Sequence, residues 1–339
     1  MKHFVLVLSL IFAFTVHAQP SSNNGFISIK NISGAREGAL SGTARAVFDG
    51  DLSMALKNPT ILSDETNGAA TFTINPWFEG ITSGNAAYSF QYKKFHIVPA
   101  IAFFSYGSFE GRDNLGNISN EYSARDLQLS VGAGYKVNER ISVGATYKFI
   151  NSKYESQGAS FMGVDLLGSI INEDKLFMLT AGVENVGVVL SQFDGDDQKA
   201  PTNLYISLSK KLDNAPFRFY LTLDQLNRWD IIPEDLYKEP ANAFGEEETS
   251  SDPGFGKQLF FHTKLATELV ITKNFHIRVG YNYQRREELK LIEKPGMAGF
   301  TYGFEFKVNR FRFAYARARY HQAFANNFFT ISTNINKFK

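Results

Sequence analysis

Residues 275–283 read FHIRVGYNY, and the stretch sorts by parity. Successive side chains of an extended strand point to opposite faces. Phe275, Ile277, Val279, Tyr281 and Tyr283 therefore share one face, and His276, Arg278, Gly280 and Asn282 share the other. One face suits an apolar surrounding and the other a polar one, so the fold is decided by which face meets which.

The same period-two pattern recurs from Ala70 onward, in LQLSVGAGY (127–135), ISVGATYKF (141–149), FRFYLTLD (217–224) and FTYGFEFKV (300–308). It predicts 14 strands, beginning near residues 70, 84, 95, 124, 139, 157, 174, 201, 216, 257, 274, 296, 310 and 325. Most run 10 to 16 residues, against about 5–6 in soluble sheets. Tight polar turns follow every second strand: YKKF, KVNER, INEDK, KLDNAP, ITKNF and KVNRF. The remaining links are more variable and often longer, notably 107–124, 191–201 and 230–257. Short turns at one end and long loops at the other are the asymmetry of outer-membrane barrels. A soluble sandwich can share the alternation, with its apolar face inward. Strand length, loop asymmetry and a polar face of Gly, Thr and isolated charges such as Arg278 and Glu305 favour the barrel. Both termini then lie at the short-turn, periplasmic end. Closure pairs every backbone group, which hydrocarbon demands.

The bulk properties agree. The chain has 339 residues, no Cys and 14% aromatics, with 32 Phe and 15 Tyr. It opens with Lys2, an apolar run from Phe4 to Val16 and a small-residue cleavage site, Val16-His17-Ala18, the parts of a secretory signal peptide. Removing residues 1–18 removes only Lys2, leaving 34 basic residues (35 − 1) against 34 acidic ones. A formally neutral chain argues against a broad nucleic-acid-binding surface. No later segment has the roughly 18 apolar residues of a spanning helix.

Residues 33–62 precede the first strand. Gly34, Gly38 and Gly42 fall on one helical stripe with Ala35 and Ala39, suited to close packing against another backbone. Asp51 is placed to cap a short helix that Asn58-Pro59 ends. The expected fold is therefore all-β: a 14-stranded antiparallel transmembrane outer-membrane β-barrel with an N-terminal plug segment packed through Gly34, Gly38, Gly42, Asn58 and Pro59. The expected divisions are a signal peptide (1–18), an N-terminal periplasmic or plug segment (19–69) and the barrel (70–339). No nucleophile elbow, H-E-x-x-H or phosphate-binding loop occurs. Hence no catalytic, metal or cofactor residues are expected.

Residues 103–155, LTAGVENVG (179–187) and DGDLSMALKNPTIL (49–62) resemble the PorV/PorQ family of the type IX secretion system, whose barrels are FadL-like. The resemblance implies a non-enzymatic outer-membrane component of the cell-surface attachment complex. It implies a PorZ-like surface protein as partner, beside PorU as sortase and PorV as shuttle barrel. Joined to the loop pattern, it points to docking through the loops that hold Asn114, Asp196 and Glu247. The alternative is a FadL-type channel for a hydrophobic small molecule. A scaffold calls for a packed plug and large loops, a channel for an apolar tunnel or a lateral opening.

Overall fold

In the computed structural model the alternating stretches pair into one closed wall. The structure describes residues 26, 28, 33–42, 45–112, 115–193, 198–233, 236, 253–290, 296–319 and 324–338. The expected signal peptide, Asn114, Asp196 and Glu247 lie outside them. The strands are β1 (Ala69–Pro76), β2 (Thr82–Tyr88), β3 (Phe90–Tyr92), β4 (Phe95–Arg112), β5 (Ile118–Lys136), β6 (Ile141–Tyr154), β7 (Gln157–Ile171) and β8 (Phe177–Ser191). They continue as β9 (Asn203–Lys211), β10 (Phe217–Leu223), β11 (Thr263–Thr272), β12 (Phe275–Asn282), β13 (Phe300–Val308), β14 (Phe311–Ala318) and β15 (Asn326–Asn334). Neighbours pair antiparallel around the wall, and β1 closes it on β15. Both β2 and β3 pair with β4, with a break at Ser89 between them. The 15 segments therefore make 14 crossings. This is a closed 14-stranded antiparallel barrel.

Strand β12 shows why the wall faces as it does. Val279 is 50% exposed on the outside, whereas Arg278 is 1% exposed on the inside. The register places Phe275 opposite Phe306, Ile277 opposite Phe304, and Val279 opposite Tyr302, so outward apolar side chains form continuous rows. Inward positions of β12, β13 and β15 carry Gly280, Thr301, Gly303 and Thr330. An apolar outside and a small, polar inside are the arrangement of a membrane barrel.

Short turns at 93–94, 137–140, 172–176, 212–216, 273–274 and 309–310 share one end of the barrel. Lys93 and Asn309 have positive φ, as the tightest hairpins require. Four sequence expectations are corrected. Residues 107–124 are not a loop: β4 runs to Arg112 and β5 begins at Ile118, so the hairpin extends beyond the rest of the wall. The strand expected near 257 begins at Thr263, because Phe255–His262 is a helix. The strand expected near 296 begins at Phe300, and Tyr283 leaves its strand to start the helix Tyr283–Leu289. The described strands span 3 to 19 residues rather than mostly 10 to 16.

The described residues of 33–68 lie against the inward faces of the strands. They form short helices at Ala35–Ala39 and Leu52–Ala55 and 3-10 turns at Pro59–Ile61 and Asp64–Thr66. Ala46, Val47, Leu52, Met54, Ile61 and Leu62 are buried with wall residues Val98, Met178 and Tyr220. Burying each larger apolar side chain contributes roughly 1.5–3 kcal/mol. The first helix is held by Ala35 N–H donating to Thr330 Oγ1 (2.8 Å) and Thr301 Oγ1–H donating to the Ala39 carbonyl (2.7 Å).

Candidate functional site: the barrel lumen

The inner wall is pared down where residues 33–68 touch it. A Cβ on Gly144 would stand 2.9 Å from Pro59 Cγ, and one on Gly134 would overlap the Pro59 carbonyl. Across the lumen, a Cβ on Gly280 would stand 2.5 Å from Ser41 Oγ, and one on Gly303 2.8 Å from Ala39 Cβ. Wall glycines thus make the floor on which the segment sits. Within the segment, a Gly34 Cβ would meet Ser53 Cβ at 2.9 Å, and a Gly38 Cβ would meet the Phe328 ring at 3.1 Å. Gly42 is not on the same helical stripe. It takes φ +75°, and its N–H returns to the Glu37 carbonyl (2.7 Å) to close the helix, a use suited to glycine.

Asp51 caps Leu52–Ala55 by accepting from Ser53 N–H. Asn58 starts the next turn by accepting from Thr60 N–H and donates Nδ2–H to the Arg45 carbonyl (2.5 Å). Pro59 is its first residue. Thr60 then meets Ser169 of β7. The structure brings Asn58 and Pro59 to one wall and Gly34 and Gly38 to the opposite one.

Between these contacts lies a buried charge network. Arg36 meets Asp49 (2.6 Å), Glu268 (3.0 Å) and Asp51 (3.3 Å). Arg218 meets Asp49 (2.7 Å) and Glu268 (3.0 Å), and Arg278 meets Glu268 (2.7 Å) and Glu305 (2.8 Å). Arg312 completes the ring through Glu305 (3.3 Å) and Asp51 (3.5 Å). Four guanidiniums face four carboxylates, so the cluster is neutral as a whole. Burial alone would raise the Asp51 carboxyl, but Arg312 and Arg36 outweigh it and hold it below the usual range. Asp49 is likewise lowered against its burial, by Arg36 and Arg218. The alternation had placed Arg278 and Glu305 on the polar face. It gave no sign that Arg36, Asp49 and Asp51 join the same network through Glu268, Arg218 and Arg312, because those partners lie far along the chain, Glu268 being 232 residues from Arg36.

A second group joins β6, β7 and β8. Lys148 pairs with Asp165 (2.5 Å) and donates to Asn185 Oδ1 (3.0 Å). A register shift between Val164 and Leu166 marks this point, and Asn185 takes φ +58° there. Such irregularities re-aim side chains. Arg45 reaches Glu184 (3.0 Å) and Glu37 (2.9 Å), tying the segment to this wall too.

Toward the long-loop end the lining becomes aromatic. Ring centroids step from Trp77 to Phe104 (5.4 Å), to Tyr106 (4.6 Å), to Tyr154 (5.4 Å) and to Phe193 (4.7 Å). Phe193 packs on a cluster that contains Phe161 and Phe26, whose rings lie 5.6 Å apart. A file of ring faces beside a polar, charged lumen can bind a small apolar molecule without metal or covalent chemistry.

The barrel has the TodX fold. A deltaS2 mutant of the TodX monoaromatic hydrocarbon channel superposes over 90% of this chain and 100% of its own, with TM-score 0.54 and 14% identity. The Pseudomonas putida toluene transporter TodX covers 88% and 96%, with TM-score 0.50 and 12% identity. The deltaS2S3 mutant covers 89% and 99%, with TM-score 0.53 and 13% identity. At such identities the likeness concerns the fold. No family model and no curated protein matches the chain.

Proposed function

We propose that this protein is a FadL-type outer-membrane channel that admits a small hydrophobic molecule from outside the cell. The observation that carries this reading is the aromatic file from Trp77 to Phe193 at the long-loop end of the lumen. The likeness to TodX, a hydrocarbon channel, supports it. In this reading residues 1–18 direct export, the barrel from about residue 70 spans the outer membrane, and residues 33–68 plug the lumen at rest. Passage then requires the plug to shift, and the charge network sets how easily it does so. No residue acts as a catalyst. The test is uptake of a labelled hydrophobic compound by cells with an intact outer membrane, with and without the protein. Equal uptake overturns the channel reading.

One observation favours a second reading, a non-enzymatic scaffold in a type IX attachment complex. Residues 33–68 pack the lumen through a neutral ring of buried ion pairs, as a barrel that only anchors a partner would need. A PorZ-like surface protein would then dock on the loops holding Asn114, Asp196 and Glu247, beside PorU and PorV. Shortening loop 230–257 to a tight turn would leave the barrel assembled, release the partner and leave secreted cargo unprocessed. Normal sorting after that change removes the docking role of this loop.

A further inference from the structure

Seven acidic side chains are buried among the described residues: Glu37, Asp51, Asp126, Asp165, Glu184, Glu268 and Glu305. Six have a basic partner within ion-pair distance. Asp126 does not. It lies on the inner face of β5, 2% exposed, with Phe104 of β4 directly opposite it. Its Oδ2 accepts from the Tyr106 hydroxyl (3.0 Å), which in turn accepts from the Tyr154 hydroxyl (3.1 Å). Its Oδ1 has no hydrogen-bond partner. A register shift between Ser105 and Ser108 brackets Tyr106, and Gly107 takes φ +87° there. The wall is thus broken at the point where Tyr106 reaches the carboxylate, a device found beside binding sites.

We infer that Asp126, with the ring faces of Phe104, Tyr106 and Tyr154, forms a binding site for an organic ammonium group carried on an apolar body. A buried carboxylate is costly unless it is paired with a cation or neutralised by a proton. Aromatic faces attract ammonium groups and reject hydrated inorganic ions, so rings around one carboxylate select an alkylated or aryl amine. A divalent metal would want six or more oxygen ligands, which one carboxylate and two phenols do not supply. Tyr106 and Tyr154 are both half-buried, and their rings stand beside the carboxylate. This inference rests on the channel reading and sharpens it: the preferred cargo is an amine rather than a plain hydrocarbon.

The test uses the full-length protein purified in detergent, with Trp229→Phe so that Trp77 is the remaining tryptophan. Its ring lies 5.4 Å from Phe104 and reports occupancy of the file by fluorescence. Benzyltrimethylammonium and toluene are titrated separately. The site predicts at least about tenfold tighter binding of the ammonium compound, a ratio within reach of a desolvated cation–π and charge pair. Asp126→Asn should abolish that ratio and leave toluene binding unchanged. Equal binding of both probes, or ammonium binding that survives Asp126→Asn, overturns the inference while toluene binding keeps the channel reading. If neither probe alters the emission, the aromatic file is no ligand site and both readings lose their support.

Discussion

Arg36 is the residue on which docking of residues 33–68 turns, because it meets three carboxylates, one of them on the wall. Replacing it with Ala leaves Glu268 and Asp49 short of one buried cation, and removing one partner of a buried pair costs about 3–5 kcal/mol. The expected outcome for Arg36→Ala is faster proteolysis within residues 33–68 while the barrel stays assembled. Arg36→Lys should restore little, since a single ammonium cannot span carboxylates on several sides. The pH dependence has a definite sign. Asp49 and Asp51 have folded-state values below the ordinary aspartate value of 3.8. Their contribution is therefore fully present above that value and is lost as pH falls through the lowered values. Protection of residues 33–68 should stay flat from neutral pH down to about 4 and fall only in stronger acid. A loss of protection between pH 5 and 7 would contradict the assignment. The sequence made the wall half of this network visible through Arg278 and Glu305, but not the segment half. Arg36 lies among the small residues Gly34, Ala35 and Gly38 in the sequence, and only the fold brings it to Glu268.

At the scale of elements, the fit between the segment and the wall is a matter of missing Cβ atoms. Gly134→Val should prevent Pro59 from seating, and Gly38→Leu should collide with Phe328, each costing about 1–3 kcal/mol through overpacking. Limited proteolysis or amide exchange of residues 33–68 reads both, and Gly168→Ala, which meets nothing within 4 Å, is the neutral control. Unchanged protection in Gly134→Val would mean that Pro59 does not rest on this wall. Strand parity was legible because the two faces meet different surroundings, and a strict period of two leaves no second solution. The helix Phe255–His262 was misread for the converse reason. Its buried residues Gln258, Phe261 and His262 follow helical spacing over only two turns, beside a true strand that starts at Thr263. The β4–β5 hairpin was cut short because Gly107 and polar residues of 107–124 carry turn chemistry, yet the register resumes beyond the irregularity. The aromatic file escaped notice because Trp77, Phe104, Tyr154 and Phe193 come from separate segments, which no local period links.

Across the whole molecule, six short turns lie at one end and the longest links at the other, which predicts an orientation. The chain contains no Cys, so single Cys substitutions label cleanly. Cys at Asn114, Asp196 or Glu247 should react with an impermeant reagent on intact cells, and Cys at Asn138 or Asn309 should not. The reverse pattern would invert the barrel, and uniform reaction would argue against membrane insertion. In the proposed channel reading residues 33–68 close the lumen at rest, so release of this segment should raise flux. The central claim is that this barrel passes a small apolar molecule when that segment yields. It is tested most directly by the rate at which intact-envelope cells take up labelled toluene, compared among cells with the wild-type protein, with Arg36→Ala and with none. Wild-type cells should exceed the deletion, and Arg36→Ala should exceed wild type. Equal uptake in all three, with the barrels present in the outer membrane in equal amount, would contradict the account.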